Sequence, residues 1–243
     1  MSQPSAAPVI GVMVALPEER VALEDLLRQR RVVRRRGVVM LRGLFEGRPM
    51  VIVQSGVGRV KAERAATTLF DEGPVSCVIA VGFSGGLDAS LAVGDLVLAD
   101  RVVEDSSGAV LAVNGSAPAV PTARRGTVVT VDRIYAAVEE KQALAKRRQA
   151  LAVDMESSAV ARVAAARGVP WCSLRIILDP LHTALVVRSR REAALMLLQP
   201  RRVKKLLQLA RDTRMVSRRM AVGLVALLAH LELTQGTAPS SAS

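Results

Sequence analysis

An α/β layer architecture with a largely parallel central sheet is predicted by three observations. Short apolar runs alternate with helical patterns along most of the chain. Several of these runs end in glycine or an acid, where open α/β sheets place their ligand sites, beyond the carboxyl ends of strands. Half of the 243 residues are apolar and no linker divides them, which suffices for one sizeable core. Aromatic residues make up only 2%, so Val, Leu, Ala, Ile and Met must build that core.

Taken in order, Val9–Leu16 reads as a buried strand, and Pro17 opens a helix through about Arg28. Glu18 and Glu19 suit the first turn of that helix. Val38–Phe45 and Pro49–Gln54 form a hairpin around Glu46-Gly47-Arg48. Ser55-Gly56-Val57-Gly58 is a tight turn into a helix ending near Phe70. Cys77–Val81 is a short strand that stops at Gly82-Phe83-Ser84-Gly85-Gly86. Asp95–Val103 is a strand, 114–125 a loop, Thr127–Val131 a strand and Tyr135–Arg147 a helix. Ala150–Val153, Glu156–Arg167 and Trp171–Leu178 continue as strand, helix, strand. Arg190–Gln199 and Arg201–Leu231 are helical on either side of Pro200, and 234–243 is a small, polar tail expected to be disordered. The chain thus divides into a catalytic domain over 1–190, a basic amphipathic extension over 191–233 and the tail.

Charge and sulfur narrow the setting. The net charge is +12, and residues 188–219 carry eleven Lys or Arg against two acids, a local excess of +9. In that segment the charge is interleaved with Val203, Leu206, Leu207, Leu209, Ala210 and Val216, while 220–231 is almost wholly apolar. The stripe either packs on the core or a second subunit, or meets an anionic membrane. A second basic cluster comprises Arg28, Arg30, Arg31, Arg34, Arg35 and Arg36. Nucleic acid is not expected as a partner, because the scarce aromatics offer few stacking platforms. Cys77 and Cys172 sit in apolar runs and read as reduced core residues of a cytosolic protein. The run from Pro8 to Leu16 lacks a basic leader and reads as a strand, not a signal peptide. No apolar run reaches the ~18 residues of a membrane span.

The acids carry the functional signal. Glu18 and Glu19 follow the first strand, Asp154 and Glu156 lie in Val153-Asp154-Met155-Glu156-Ser157-Ser158-Ala159, and Asp179 ends Leu174-Arg175-Ile176-Ile177-Leu178-Asp179. No metal-ligand partners surround them, and no metal or other cofactor is expected. Such a set suits general acid, general base and sugar-hydroxyl recognition, as in cleavage of a nucleoside N-glycosidic bond. Glu18 reads as a helix N-terminus acid, and Arg175 as the partner of a buried acid. His182 and His230 read as structural or surface groups. Arg59 reads either as a phosphate ligand or as an exposed residue at a helix start.

On these residues the chain resembles the nucleoside phosphorylase/nucleosidase superfamily, in the branch that includes methylthioadenosine/S-adenosylhomocysteine nucleosidases. The likeness spans roughly residues 9–180. It rests on Ile10 to Glu19, Ser55 to Gly58, Gly82 to Leu87, Val93-Gly94-Asp95, Val153 to Glu156, and Arg175 with Asp179. Val131-Asp132-Arg133, Asp179-Pro180 and the basic C-terminal helices look most like the hopanoid-associated phosphorylases. The resemblance implies a three-layer αβα fold with a parallel or mixed sheet, and a homodimer. It implies that Asp179 protonates purine N7, that Glu156 holds the ribose hydroxyls with Met155 against the sugar, and that Glu19 positions the attacking water. Ser84, Gly85 and Gly86 match the loop lining the sugar and nucleophile site, Phe83 beside them is a further substrate-binding candidate, and Gly58 and Arg59 are the phosphate candidates.

The chain departs from that pattern at three places. Arg133 stands where the nucleosidases carry a base-stacking Phe, leaving Tyr135 or Phe83 to serve instead. Leu178 stands where the family has a Ser or Thr before the acid. The Gly-Asp-Pro phosphate loop of the classical phosphorylases does not follow the first strand, so water and inorganic phosphate both remain open as nucleophile. The leading expectation is adenine release from adenosylhopane, at the inner face of a membrane reached through 188–231. The alternatives are a soluble methylthioadenosine/S-adenosylhomocysteine nucleosidase and a non-catalytic binding protein of the same fold.

Overall fold

The computed structural model describes residues 7–113, 120–183 and 200–235, with the side chains of the last segment described over 212–231. Among them are ten strands and five helices. In chain order these are β1 (Val9–Val14), α1 (Pro17–Glu24), β2 (Arg28–Arg35), β3 (Val38–Phe45), β4 (Arg48–Gln54), α2 (Arg59–Asp71), β5 (Val75–Gly86) and β6 (Leu96–Glu104). They continue with β7 (Val110–Ala112), β8 (Ala123–Thr130), α3 (Val138–Arg148), β9 (Ala152–Asp154), α4 (Ser157–Ala166), β10 (Trp171–Asp179) and α5 (Pro200–Gln235).

The sheet is mixed. β4, β1, β5 and β10 run parallel, β10 pairs antiparallel with β6, and β6, β8 and β9 are parallel again. Because β5 pairs both with β10 and, through Gly85 and Gly86, with β9, the strands β5, β10, β6, β8 and β9 close into a ring. The antiparallel strands β3 and β2 extend the other side as an arm beyond β4. The period of two along β1 sorts its side chains. Ile10, Val12 and Val14 join the core beneath α1 and α5, while Met13 joins the core beneath α2 and α4. Leu144 of α3 packs against Leu87, Val129, Val131 and Val153 in a third, smaller cluster.

The structure differs from the sequence expectations in several places. The first helix ends at Glu24, and Arg28–Arg35 is a strand that pairs with β3 instead of a helical end. Its side chains are almost all exposed, so the first basic cluster is a sheet edge. The glycines after Val81 do not form a turn. β5 continues to Gly86, because β10 and β9 supply backbone partners along that stretch. β7 was not expected, β8 begins at Ala123 within the expected loop, and α3 begins at Val138 instead of Tyr135. The hairpin of β3 and β4 stands as expected, with Glu46 and Gly47 both at positive φ in a two-residue turn. Residues 114–119, the whole of the expected helix at 190–199 and the tail beyond 235 lie outside the described residues.

α5 begins at Pro200, so that proline opens a helix. Val216, Met220, Leu224, Leu227 and Leu228 are buried in the same cluster as Leu96, Leu98, Leu174 and Ile176. The apolar stripe of 216–228 is therefore taken up by the core, one of the alternatives that the sequence leaves open. Cys77 and Cys172 are both buried free thiols. No helix of the described residues is long and apolar enough to cross a membrane.

Candidate active site

Five chain segments, with a sixth before α3 at the rim, meet around a pocket of about 230 Å³. They are the end of β1 with α1, the turn after β4, the end of β5, the β9–α4 junction and the end of β10. Ala15, Leu16, Glu19, Val57, Phe83, Ser84, Gly85, Met155, Glu156, Leu178 and Asp179 line the pocket, together with Arg133, Ile134 and Tyr135 from the segment before α3.

Glu19 is placed by backbone donors. Its Oε2 accepts the N–H groups of Ala15 and Leu16, each at 2.8 Å, and its Oε1 accepts Phe83 N–H at 2.7 Å. It therefore closes the first turn of its own helix and also faces the pocket. Its approach depends on Gly82. A Cβ there would lie 2.7 Å from Glu19 Oε1 and 2.8 Å from Arg175 Nη1. Burial pushes the Glu19 carboxyl up, against the opposing effect of the Leu16 and Phe83 N–H groups, Arg175 and Ala15.

At the β9–α4 junction three residues divide the work. Asp154 is structural. Its Oδ1 accepts from Thr130 Oγ1 at 2.7 Å, its Oδ2 accepts Ser157 N–H at 2.9 Å, and Arg175 Nη2 sits 2.6 Å from Oδ2. Arg175 is held further by Ser157 Oγ and Ser173 Oγ. Met155 and Glu156 point to the pocket, and Glu156 Oε1 accepts Gly58 N–H at 2.8 Å. Burial first, and then the neighbouring Asp154 charge, push Glu156 up to about 7 despite Arg175 and Gly58.

Asp179 ends β10 where the register with β5 slips between Ile177 and Asp179. Its Oδ2 accepts from Lys141 Nζ at 3.1 Å, while its buried Oδ1 has no partner among the described residues. Burial raises its carboxyl, and the Lys141 charge and hydrogen bond act the other way. Lys141 is fully buried and was not singled out from the sequence. It shares a helical face with Leu144, the other buried residue of α3, but Lys146, Arg147 and Arg148 nearby make it look like one more surface cation.

The remaining sequence candidates fall as follows. Ser84 donates to Ile176 O at 3.3 Å, tying β5 to β10 beside the pocket. Gly86 pairs with Ala152 and lies outside the pocket lining. Arg133 lies 4.2 Å above the Tyr135 ring and pairs with Glu140 at 2.8 Å, so it covers an aromatic face at the rim. Arg59 is outside the pocket, with its guanidinium paired to Glu104 and Asp132 at 2.6 Å each. No group of His, Cys, Asp and Glu that could hold a metal ion occurs among the described residues.

The family model of the phosphorylase superfamily matches this chain over residues 9–122 and 107–199. The chain belongs to that superfamily. Its relatives include the 5′-methylthioadenosine/S-adenosylhomocysteine nucleosidase of Staphylococcus aureus, 29% identical over 196 residues, or 70% of this chain and 86% of that protein. The crystal structure of the Neisseria meningitidis nucleosidase of the same name, in complex with methylthio-immucillin-A, superposes with a TM-score of 0.74 at 20% identity. That match covers 90% of this chain and 98% of the other. Futalosine hydrolase of Helicobacter pylori matches with a TM-score of 0.75 at 21% identity, over 92% and 98% of the two chains. As a member of the superfamily, this chain is an enzyme of the nucleoside phosphorylase and nucleosidase group.

Proposed function

We propose that this enzyme cleaves the N-glycosidic bond of a 5′-substituted adenosine and releases adenine. The observation that carries the reading is the convergence of Glu19, Glu156 and Asp179 on one largely apolar pocket. Asp179 passes its proton to purine N7 as the C1′–N9 bond breaks and the bonding pair moves into the base. Glu156 accepts hydrogen bonds from the ribose hydroxyls, and Met155 packs on the sugar. Both carboxylates on the sugar side stabilise the positive charge that develops at C1′. Glu19 orients the nucleophile, water, and takes its proton as the C1′–O bond forms. Phe83 and Tyr135, the latter covered by Arg133, offer the base an aromatic face.

Hydrolysis is favoured over phosphorolysis. Arg59, with Gly58 the phosphate candidate, is already paired with two acids. The nucleophile's side of the pocket presents the Glu19 and Glu156 carboxylates, which repel a phosphate dianion.

Two 5′ substituents have support. The likeness to hopanoid-associated phosphorylases and the excess of basic residues over 188–219 support adenosylhopane, a lipid-linked nucleoside met at an anionic membrane surface by a cytoplasmic homodimer. The names of the relatives and the burial of the α5 stripe in the core support a water-soluble thioadenosine instead. Adenine release from adenosylhopane in liposomes and from methylthioadenosine, each with and without phosphate, separates these readings. Release is expected without phosphate, and it is expected to fall at least about a hundredfold in Asp179→Asn. Unchanged release in Asp179→Asn would remove the acid from the mechanism.

A further inference from the structure

Lys141 is a fully buried cation held against Asp179, which lines the pocket, and its partners account for every proton it carries. Nζ donates to Asp179 Oδ2 at 3.1 Å, and to the backbone carbonyls of Pro180 and Thr183 at 2.6 Å each. Three donated bonds require the ammonium form, which has no lone pair with which to accept. Leu178, the residue before the acid, offers no side-chain hydrogen bond, and among the described residues Lys141 is the one side chain that hydrogen-bonds the carboxyl. Oδ1 is left buried and without a partner among the described residues, beside the pocket.

We propose that Lys141 is a positioning residue that selects which oxygen of Asp179 carries the transferable proton. Oδ2 is held as an acceptor by an N–H that cannot be reversed, so in the neutral acid the proton resides on Oδ1. From there it moves to the leaving base, and the carboxylate that remains is paired with the ammonium. The same charge that orients the acid therefore also strengthens it. This inference rests on the reading of Asp179 as the general acid. The other charged and titratable groups around the acid are Glu19 on α1, Asp154 and Glu156 at the β9–α4 junction, Arg175 on β10, and Arg133 and Tyr135 at the rim.

The test combines Lys141→Met, Lys141→Gln, Asp179→Asn and the double variant Lys141→Met/Asp179→Asn, each checked for cooperative unfolding. The first readout needs no substrate. The carboxylic acid C=O band of Asp179, assigned by its loss in Asp179→Asn, is titrated by infrared difference spectroscopy. Its midpoint is expected to move to higher pH in Lys141→Met. The second readout is adenine release from methylthioadenosine and adenosylhopane. In Lys141→Met, kcat is expected to fall about tenfold to a hundredfold, with the basic limb of the pH profile displaced upward. Lys141→Gln, which keeps donors without charge, is expected to recover part of kcat but not the original limb. Adding Lys141→Met to Asp179→Asn is expected to change the residual rate by no more than about twofold. An unmoved infrared midpoint would overturn the proposal, and so would an equal loss of rate from Lys141→Met with and without Asp179. If Asp179→Asn keeps the full rate, the general-acid reading fails on its own, while the infrared titration still decides whether Lys141 governs the carboxyl.

Discussion

Glu156 shows how the site sets function against stability at a single residue. Its carboxyl is pushed from the ordinary 4.5 up to about 7, by burial and by Asp154. Between those values the folded chain binds more protons than the unfolded one, so stability falls as pH rises through the window, by about 3 kcal/mol in all. In the proposed mechanism the ionised form is the one that accepts from the ribose hydroxyls. kcat/KM is therefore expected to rise with pH to a plateau just above 7, along an acid limb that belongs to Glu156. Glu156→Gln should lose that limb along with about a hundredfold in kcat/KM. It should also gain up to about 3 kcal/mol over the wild type near pH 9 and little near pH 5, read from denaturant midpoints. A variant no more stable than wild type at high pH would show that Glu156 is not under this electrostatic load. The acids were legible because each lies in a short motif at the end of an apolar run. Lys141 was not, because only the packing of α3 against the end of β10 distinguishes a buried lysine from its surface neighbours.

Pairing between strands explains what the sequence left hidden at the level of elements. Arg28–Arg35 has no apolar face to announce a strand, and its conformation comes from the ladder with β3. The run Gly82 to Gly86 has the composition of a turn, yet it is the shared edge at which β5 meets both β10 and β9. That edge is also where the site is assembled. Gly82 pairs with Arg175, and the space above it is filled by the Glu19 and Arg175 head groups. Gly82→Ala is expected to keep the fold at a cost of about 1–3 kcal/mol while displacing Glu19. Adenine release should then fall about a hundredfold, as expected when a reacting group moves by about 1 Å. The same substitution in a Glu19→Gln background should cost little more, and a full further loss there would mean that Gly82 acts through something other than Glu19.

For the whole molecule, the question is what the C-terminal helix serves. The sequence presents α5 as a basic, apolar segment with two possible partners, and periodicity alone could not choose between a membrane and the chain's own sheet. Packing decides for the described part. Leu224, Leu227 and Leu228 are fully buried against the ring of strands through Leu96, Leu98 and Leu174, while Val222 on the other side is 70% exposed. On the proposed lipid-linked reading, attachment to an anionic surface would run through the basic residues and not through this stripe. Leu224→Ala is expected to lower unfolding stability by about 2–5 kcal/mol, the cost of a cavity in a well-packed core. Binding to anionic vesicles, measured below the unfolding transition, should be unchanged in Leu224→Ala and should be lost in about 0.5 M salt, as screening requires for a purely ionic contact. The opposite pattern, with unchanged stability and vesicle binding that is weakened by Leu224→Ala but survives salt, would move the helix from the core to the membrane. It would also leave the Leu96–Leu174 face of the sheet to be covered by something else.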